Sequence, residues 1–322
     1  MIVGAGDVAR RLTTASSPVG LGQRAQWFGL ARSTATAHEL RSAGILPIMG
    51  DLDRRASLKR AGAIARCANA VLHLAPPPGE GLDDPRMRRW LAVASIASIA
   101  TKASAASLQS VSRSVKKSKR RPRKLRNVYV STTGVYGDCA GERIDETRRT
   151  RPANARAKRR VAAEARLRHC HHHRFTILRA PGIYAADRLP VERLRAGTAA
   201  LSAEDDVFTN HIHADDLARA VWLAAFRGRP NRVFNIVDDG ELKMAEYFDQ
   251  VAAATGLPRP PRLPRTELQR VVSPMQYSFM SESRRIENAR MKRELRLRLR
   301  YPTPAKFLST MKPAAALQRS LL

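Results

Sequence analysis

The chain has 322 residues, of which 43% are hydrophobic, so it can bury a sizeable core, and disorder throughout is excluded. Its 58 Lys and Arg against 28 Asp and Glu give a net charge of +30. Such a charge attracts phosphorylated ligands, nucleic acid or anionic membrane surfaces, although a GC-rich genome would produce the same arginine excess without any such function.

Membrane-spanning and disulfide-rich classes are disfavoured. No apolar run approaches the roughly 20 residues that a membrane-spanning helix needs. The cysteines Cys67, Cys139 and Cys170 are too widely spaced for a disulfide framework or a CxxC-type zinc cluster. The chain opens on a glycine motif instead of a charged and apolar leader. We therefore expect a cytoplasmic protein with no membrane partner.

Short β-rich runs alternate with helical stretches through residues 1–240, which is typical of a parallel sheet covered on both faces. Strands are predicted at residues 1–3, 26–31, 45–49, 70–74, 127–131, 175–179 and 233–237. Helices are predicted between them, notably at residues 7–14, 85–107, 153–169, 214–226 and 243–255. The pattern predicts an α/β fold, a doubly wound parallel sheet over residues 1–240 with a small C-terminal substrate-side cap over residues 241–322.

A basic insertion interrupts this alternation at residues 112–126. It carries nine Lys or Arg and no acid, which is typical of a solvated loop. It also lacks the aromatic residues on which bases stack. We expect non-specific adsorption of polyanions, and a nucleic-acid-associated protein that uses this loop remains an alternative.

A glycine-rich loop follows the first strand and opens the first helix. The motif G-x-G-x-x-A lets the backbone approach a pyrophosphate; its residues are Gly4, Gly6, Asp7, Val8 and Ala9. The second strand ends in Arg32 and Ser33, where an NAD site usually has an acid for the ribose 2′-hydroxyl. Arg32 and Ser33 favour the 2′-phosphate of NADP, with NAD as the alternative. The competing interpretation of Arg32 is that it is one more surface arginine.

Motifs further along the chain carry a family resemblance. They are Gly50-Asp51-Leu52-Asp53, Leu72-His73-Leu74-Ala75-Pro76, Val130-Ser131-Thr132-Thr133-Gly134-Val135-Tyr136-Gly137, Leu178-Arg179-Ala180-Pro181-Gly182-Ile183-Tyr184 and Asn210-His211-Ile212-His213-Ala214-Asp215-Asp216. In this order they resemble the extended or atypical short-chain dehydrogenase/reductases, the NAD-dependent epimerase/dehydratase group. The resemblance implies a Rossmann-type fold for residues 1–240.

The resemblance also implies roles for single residues. Asp51 and Leu52 would lie by the adenine, Ala75 under the cofactor and Pro181 beside the nicotinamide. Thr132 would hydrogen-bond the reacting oxygen of a hydroxyl- or ketone-bearing substrate such as a nucleotide sugar. Tyr184 and His213 would lie on the substrate side.

The chain departs from the family at its catalytic pair, a tyrosine and a lysine four residues later on one helix. Aligned on Glu164, that helix has Arg156 in place of the tyrosine and Arg160 in place of the lysine. Arginine keeps its proton, so Arg156 cannot act as the general base, whereas Arg160 could still hold ribose hydroxyls. Two hypotheses follow: a catalytically silent dinucleotide-binding regulatory protein, or an enzyme with another proton relay such as Tyr136 or Tyr184.

Two weaker features complete the predictions. Residues 169–173 read His-Cys-His-His-His, which we interpret as a polar helix exit because adjacent residues cannot all face one ion, and we predict no metal site. Members of the family often pair through the helix predicted at residues 153–169, so a homodimer is possible, although that helix is arginine-rich here.

Overall fold

The computed structural model describes residues 1–13, 25–95, 126–170 and 174–311. Some predictions therefore fall outside the described residues: residues 112–125 of the basic insertion, the last part of the helix predicted at 85–107, and His171, His172 and His173.

Seven strands form the central sheet, in the order β12-β7-β5-β4-β1-β2-β3. The strands are β1 Ile2–Val3, β2 Trp27–Ala31, β3 Ile45–Met49, β4 Ala70–His73, β5 Arg126–Thr132, β6 Arg143–Ile144, β7 Arg174–Ala180, β8 Gly182–Tyr184, β9 Ala200–Leu201, β10 Phe208–Thr209, β11 His211–His213, β12 Arg232–Asn235, β13 Leu242–Lys243, β14 Arg262–Leu263 and β15 Arg285–Ile286. The pairs β1/β2, β1/β4, β2/β3 and β4/β5 are parallel. The chain winds outward from β1 to β3 and then returns to β4 on the other side, which is the doubly wound Rossmann order and confirms the predicted fold class.

Helices connect these strands. They are α1 Asp7–Thr13, α2 Thr34–Ser42, α3 Lys59–Cys67, α4 Pro85–Ser95, α5 Ala155–Arg168, α6 Val191–Arg195, α7 Ala214–Arg227, α8 Met244–Thr255, α9 Arg265–Val271, α10 Pro274–Met280 and α11 Pro304–Leu308, with 3-10 turns at Arg55–Leu58, Thr133–Tyr136 and Ala186–Arg188 and a π-helical turn at Met291–Leu295. None of the helices in the described ranges is both long and apolar enough to cross a membrane.

The predicted element ends differ slightly from the observed ones. The strand predicted at 45–49 coincides with β3, and the ends of the other predicted strands shift by one or two residues. The helix predicted from residue 153 begins at Ala155, because the Asn154 side chain accepts a hydrogen bond from the Ala157 N–H at 2.9 Å and caps the helix.

The chain forms two compact units that are interleaved in sequence. Unit 1 comprises Met1–Ser131, Lys158–Ile177 and Val221–Val233, and Trp90, Tyr129 and Phe175 belong to its apolar core. Unit 2 comprises Thr132–Ala157, Leu178–Ala220 and Phe234–Leu322, with a core that includes Tyr184, Phe248 and Leu268. The predicted single division near residue 240 stays a prediction.

Within unit 2, Asp216 in the first turn of α7 holds a distant segment of chain. Its buried carboxylate accepts hydrogen bonds from the backbone N–H of Arg300 at 2.8 Å and of Tyr301 at 2.9 Å, and Arg219 lies 3.3 Å away. Burial raises the pKa of Asp216, and these donors oppose that rise. The carboxylate therefore fixes the segment before α11 to the start of α7.

Replacing Asp216 with alanine should lower the free energy of unfolding by about 3 kcal/mol, because the backbone N–H groups of Arg300 and Tyr301 lose a buried, charged acceptor. Asp216→Asn, which keeps one acceptor oxygen, should lose less. Urea denaturation measures both values. An alanine variant as stable as the parent would mean that the segment is held by its apolar contacts alone.

Candidate functional site

The loop after β1 lies against the end of β4. Gly4 has φ +91, and a Cβ added there would lie 2.3 Å from the backbone nitrogen of Ala75 and 2.5 Å from its Cα. The Val3 carbonyl accepts the N–H groups of Leu74 at 2.7 Å and Ala75 at 3.0 Å. Position 4 therefore needs glycine for its backbone conformation and for the space it leaves.

The second glycine of the loop faces open space, since a Cβ added at Gly6 would meet no atom within 4 Å. The Gly6 carbonyl accepts the N–H groups of Ala9 at 3.1 Å and Arg10 at 3.2 Å. The N–H groups before Ala9 lie at the start of α1, where a helix has no carbonyl of its own to accept them. Ala9 is fully buried and Val8 half-buried, while Asp7 pairs with Arg11 at 2.9 Å. The loop thus offers backbone donors and room for an anionic group to approach.

The ends of β2 and β3 lie side by side at the same edge of the sheet. Ala31 pairs with Met49, and the Gly50 N–H donates to the Ala31 carbonyl at 2.9 Å. Arg32, the next residue, is exposed. The Ser33 hydroxyl caps α2 by accepting the Thr36 N–H at 3.2 Å, so structural use of Ser33 accompanies any role in binding.

The loop after β3 is held by hydrogen bonds of its own. The Asp51 N–H donates to the Ser57 hydroxyl at 2.9 Å, and the Asp51 carboxylate accepts the Asp53 N–H at 2.9 Å. Leu52 is buried. These contacts hold Asp51 in the loop that follows Gly50, whose backbone pairs with the end of β2.

Arg86 also lies at this edge, although no motif in the sequence singles it out. Arg86, at the start of α4, forms a two-pronged ion pair with Asp53, at 2.6 and 2.9 Å. The two residues are 33 positions apart, so no local spacing in the sequence could have indicated the pair.

Arg160 is anchored to β5. One guanidinium nitrogen donates to the Tyr129 hydroxyl at 3.0 Å and to the Val130 carbonyl at 2.8 Å. Burial raises the pKa of Tyr129 to about 12, so this phenol stays neutral. Burial, with the charge of Arg160 added, lowers the pKa of His73 to about 3, so His73 is a neutral core residue beside Tyr129.

Thr132 and Tyr136 belong to unit 2. The Thr132 hydroxyl oxygen accepts the Gly134 N–H at 3.2 Å, which leaves the hydroxyl proton for another acceptor. The Tyr136 side chain is 1% exposed and donates to the Asn235 amide oxygen at 2.7 Å. Burial raises the pKa of Tyr136, which favours a structural role over proton transfer.

Tyr184 and His213 are brought together by the pairing of β8 with β11, with ring centroids 5.3 Å apart. Tyr184 is buried and donates to the Tyr301 carbonyl at 3.4 Å; burial, followed by the charge of Asp238, raises its pKa. The buried His213 accepts the Asp215 N–H on Nδ1 at 3.1 Å. Pro181 is half-buried between β7 and β8.

The position that the resemblance assigns to tyrosine carries a stacked cation. Arg156 is exposed on α5, and its guanidinium lies 4.2 Å from the ring centroid of Phe279. An arginine stacked on an aromatic face keeps its charge and its proton. In the described ranges, no group of three or more His, Cys, Asp or Glu side chains is arranged to hold a metal ion.

Comparison with protein families finds one match over most of the chain. The family model described as NAD dependent epimerase/dehydratase matches residues 8–237. Among curated proteins, no sequence relative is found.

Solved structures share the whole architecture. A functionally unknown conserved protein from Silicibacter pomeroyi is 27% identical with a TM-score of 0.71, and the match covers 99% of this chain and 97% of that one. A UDP-glucose 4-epimerase from Thermotoga maritima, solved with UDP-glucose, is 15% identical with a TM-score of 0.70 and covers 100% and 99%. A dTDP-glucose 4,6-dehydratase from Bacillus anthracis, solved with NAD, is 15% identical with a TM-score of 0.68 and covers 99% and 96%.

Alanine should be far more destabilising at the first of the two loop glycines than at the second. Gly4→Ala should lower the free energy of unfolding by about 2–4 kcal/mol, because the new methyl meets Ala75 backbone at a positive φ. Gly6→Ala should change it by less than about 1 kcal/mol, since the methyl enters open space. Thermal or urea unfolding measures both. Equal destabilisation by the two substitutions would contradict the close packing assigned to position 4.

Proposed function

Since this chain belongs to the NAD-dependent epimerase/dehydratase family, we propose that it binds a nicotinamide dinucleotide through the loop of Gly4 and Gly6. It is a short-chain dehydrogenase/reductase-like protein. The observation that carries the proposal is the loop itself, packed on Ala75 at Gly4 and open at Gly6. A pyrophosphate fits such a backbone cradle because its oxygens accept N–H hydrogen bonds.

The edge formed by β2 and β3 would hold the adenosine half of the cofactor. Asp51 and Leu52 would lie by the adenine, and Arg32 with Ser33 would meet the ribose. The exposed Arg32 guanidinium could form charge-assisted hydrogen bonds with a 2′-phosphate. Its hydrogen bond with an uncharged 2′-hydroxyl would be weaker. We therefore propose NADP(H) in preference to NAD(H).

The chemistry that a nicotinamide supplies is hydride transfer, which in this family needs a partner that moves a proton. Arg156 keeps its proton. The hydroxyls of Tyr136 and Tyr184 are buried, donate to fixed acceptors and have raised pKa values. These observations support dinucleotide binding without the tyrosine relay, as in a regulatory protein.

An enzyme acting on a hydroxyl- or ketone-bearing small molecule is the second candidate. The observation that favours it is the Thr132 hydroxyl, whose oxygen accepts the Gly134 N–H and whose proton remains available to a substrate oxygen. Nucleotide sugars enter as candidates because the solved epimerase and dehydratase are named for them.

The net charge of +30 supports a separate proposal, non-specific adsorption of polyanions. Such adsorption weakens steeply with salt, so cofactor titrations belong at moderate salt. A homodimer and a cytoplasmic location stay predictions.

Titration calorimetry should find that NADPH binds more tightly than NADH. Arg32→Ala should weaken the binding of NADPH by about tenfold or more, because one charge-assisted hydrogen bond is lost. The same substitution should weaken the binding of NADH by less than about threefold. Arg41→Ala, at the far end of α2, is the matched control and should change neither. Binding of neither nucleotide by the parent protein would refute the proposed function.

A panel of carbonyl compounds and nucleotide sugars should give neither a change in nicotinamide absorbance nor a new sugar product on chromatography with the parent protein, because Arg156 takes the place of the tyrosine relay. Turnover that disappears in Thr132→Ala would favour the enzyme instead. Turnover that survives both Thr132→Ala and Tyr136→Phe would contradict the roles assigned to these residues.

A further inference from the structure

Asp53 is held by two arginines from the start of α4. The Arg86 guanidinium meets both carboxylate oxygens, Nε to Oδ1 at 2.9 Å and Nη2 to Oδ2 at 2.6 Å. Arg89, about one turn later, places Nη1 3.6 Å from Oδ1. A two-pronged pair of this kind is the strongest geometry for an arginine and a carboxylate.

This ion pair lies at the edge formed by the ends of β2 and β3, which would hold the adenosine half of the proposed cofactor. The register of β2 and β3 places Arg32 beside the loop that carries Asp51 and Asp53. The Asp53 side chain is 42% exposed, so its charge faces solvent at this edge. The hydrogen bond from Arg86, with the charges of Arg86, Arg89 and Arg32, lowers the pKa of Asp53, and the carboxylate is ionised at neutral pH.

A free carboxylate here would oppose a 2′-phosphate, whose charge at neutral pH is close to that of a phosphate monoester, about −1.5 to −2. The charges of Arg32, Arg86 and Arg89 all act on Asp53. Removing Arg86 would take one positive charge from this edge, and removing the charge of Asp53 would make the edge more positive.

We propose that Arg86 is a specificity-determining residue, which neutralises Asp53 and thereby lets this edge accept the 2′-phosphate of NADP(H). The inference rests on the proposed binding of the dinucleotide. Arg86 also donates to the Pro76 carbonyl at 3.2 Å, so it has a structural contact with the loop after β4. If Arg86 acts only through this structural contact, substituting Asp53 as well should not restore binding, whereas it should if Arg86 acts through its charge.

The test is a cycle of Arg86→Gln, Asp53→Asn and the double variant, with the dissociation constants of NADPH and NADH measured by calorimetry at low salt. Arg86→Gln should weaken NADPH on the order of tenfold and NADH by less than about threefold. Asp53→Asn should raise the preference for NADPH above that of the parent. The double variant, which restores the original net charge, should return the NADPH affinity to within about threefold of the parent.

Two controls accompany the cycle. Arg41→Gln removes one positive charge from the last turn of α2, about 12 Å along the helix from Ser33, and should leave both affinities unchanged. Repeating the cycle at about 1 M salt should compress the differences, because the Debye length falls to about 3 Å. Melting temperatures identify any variant that fails to fold, and Asp53→Asn tests the charge effect without altering Arg86.

A purely structural role of Arg86, through its contact with Pro76, would give a different result. Arg86→Gln would then weaken both nucleotides equally, and adding Asp53→Asn would restore nothing; either result overturns the inference while the proposed function stands. If the parent protein binds neither nucleotide, the proposed function fails first.

Discussion

The contact between the first loop and the end of β4 is the constraint on which the candidate site depends. Gly4 lies so close to the Ala75 backbone that no side chain fits between them. The Val3 carbonyl accepts the N–H groups of Leu74 and Ala75, so moving the loop away to make room for a side chain would break these hydrogen bonds. The next glycine of the loop, Gly6, has open space beside it. The two-residue strand β1 before the loop pairs with a neighbour on each side.

Several arginines among the described residues make structural contacts. Arg160 joins a phenol and a carbonyl on β5, Arg156 stacks on an aromatic ring, and Arg86 closes a long-range ion pair. Planar guanidinium groups suit such contacts because they donate in several fixed directions and stack without losing charge. The composition alone leaves open whether a basic excess is functional. Here part of that excess is engaged in specific contacts within each unit.

The parts of the fold that could be predicted are those with local signals. Apolar runs marked the sheet strands to within one or two residues, and the spacing of Gly4, Gly6 and Ala9 marked the loop. The rest depends on partners far apart in the chain. The motif around Tyr136 makes this residue a candidate for proton transfer, yet its buried hydroxyl donates a hydrogen bond to Asn235, 99 positions away. The pairing of Arg86 with Asp53 and the interleaving of the two units likewise leave no periodic pattern in the sequence.

The long-range attachment of Asp216 bears on how the chain can be divided. A chain truncated at residue 240 would keep α7 and its buried carboxylate but lose the backbone donors of Arg300 and Tyr301. It would also remove the strands β13 and β15, which pair with β10 and β6. A chain that ends at residue 240 would therefore lose several contacts that hold unit 2, and unit 1 consists of three separate stretches of the chain.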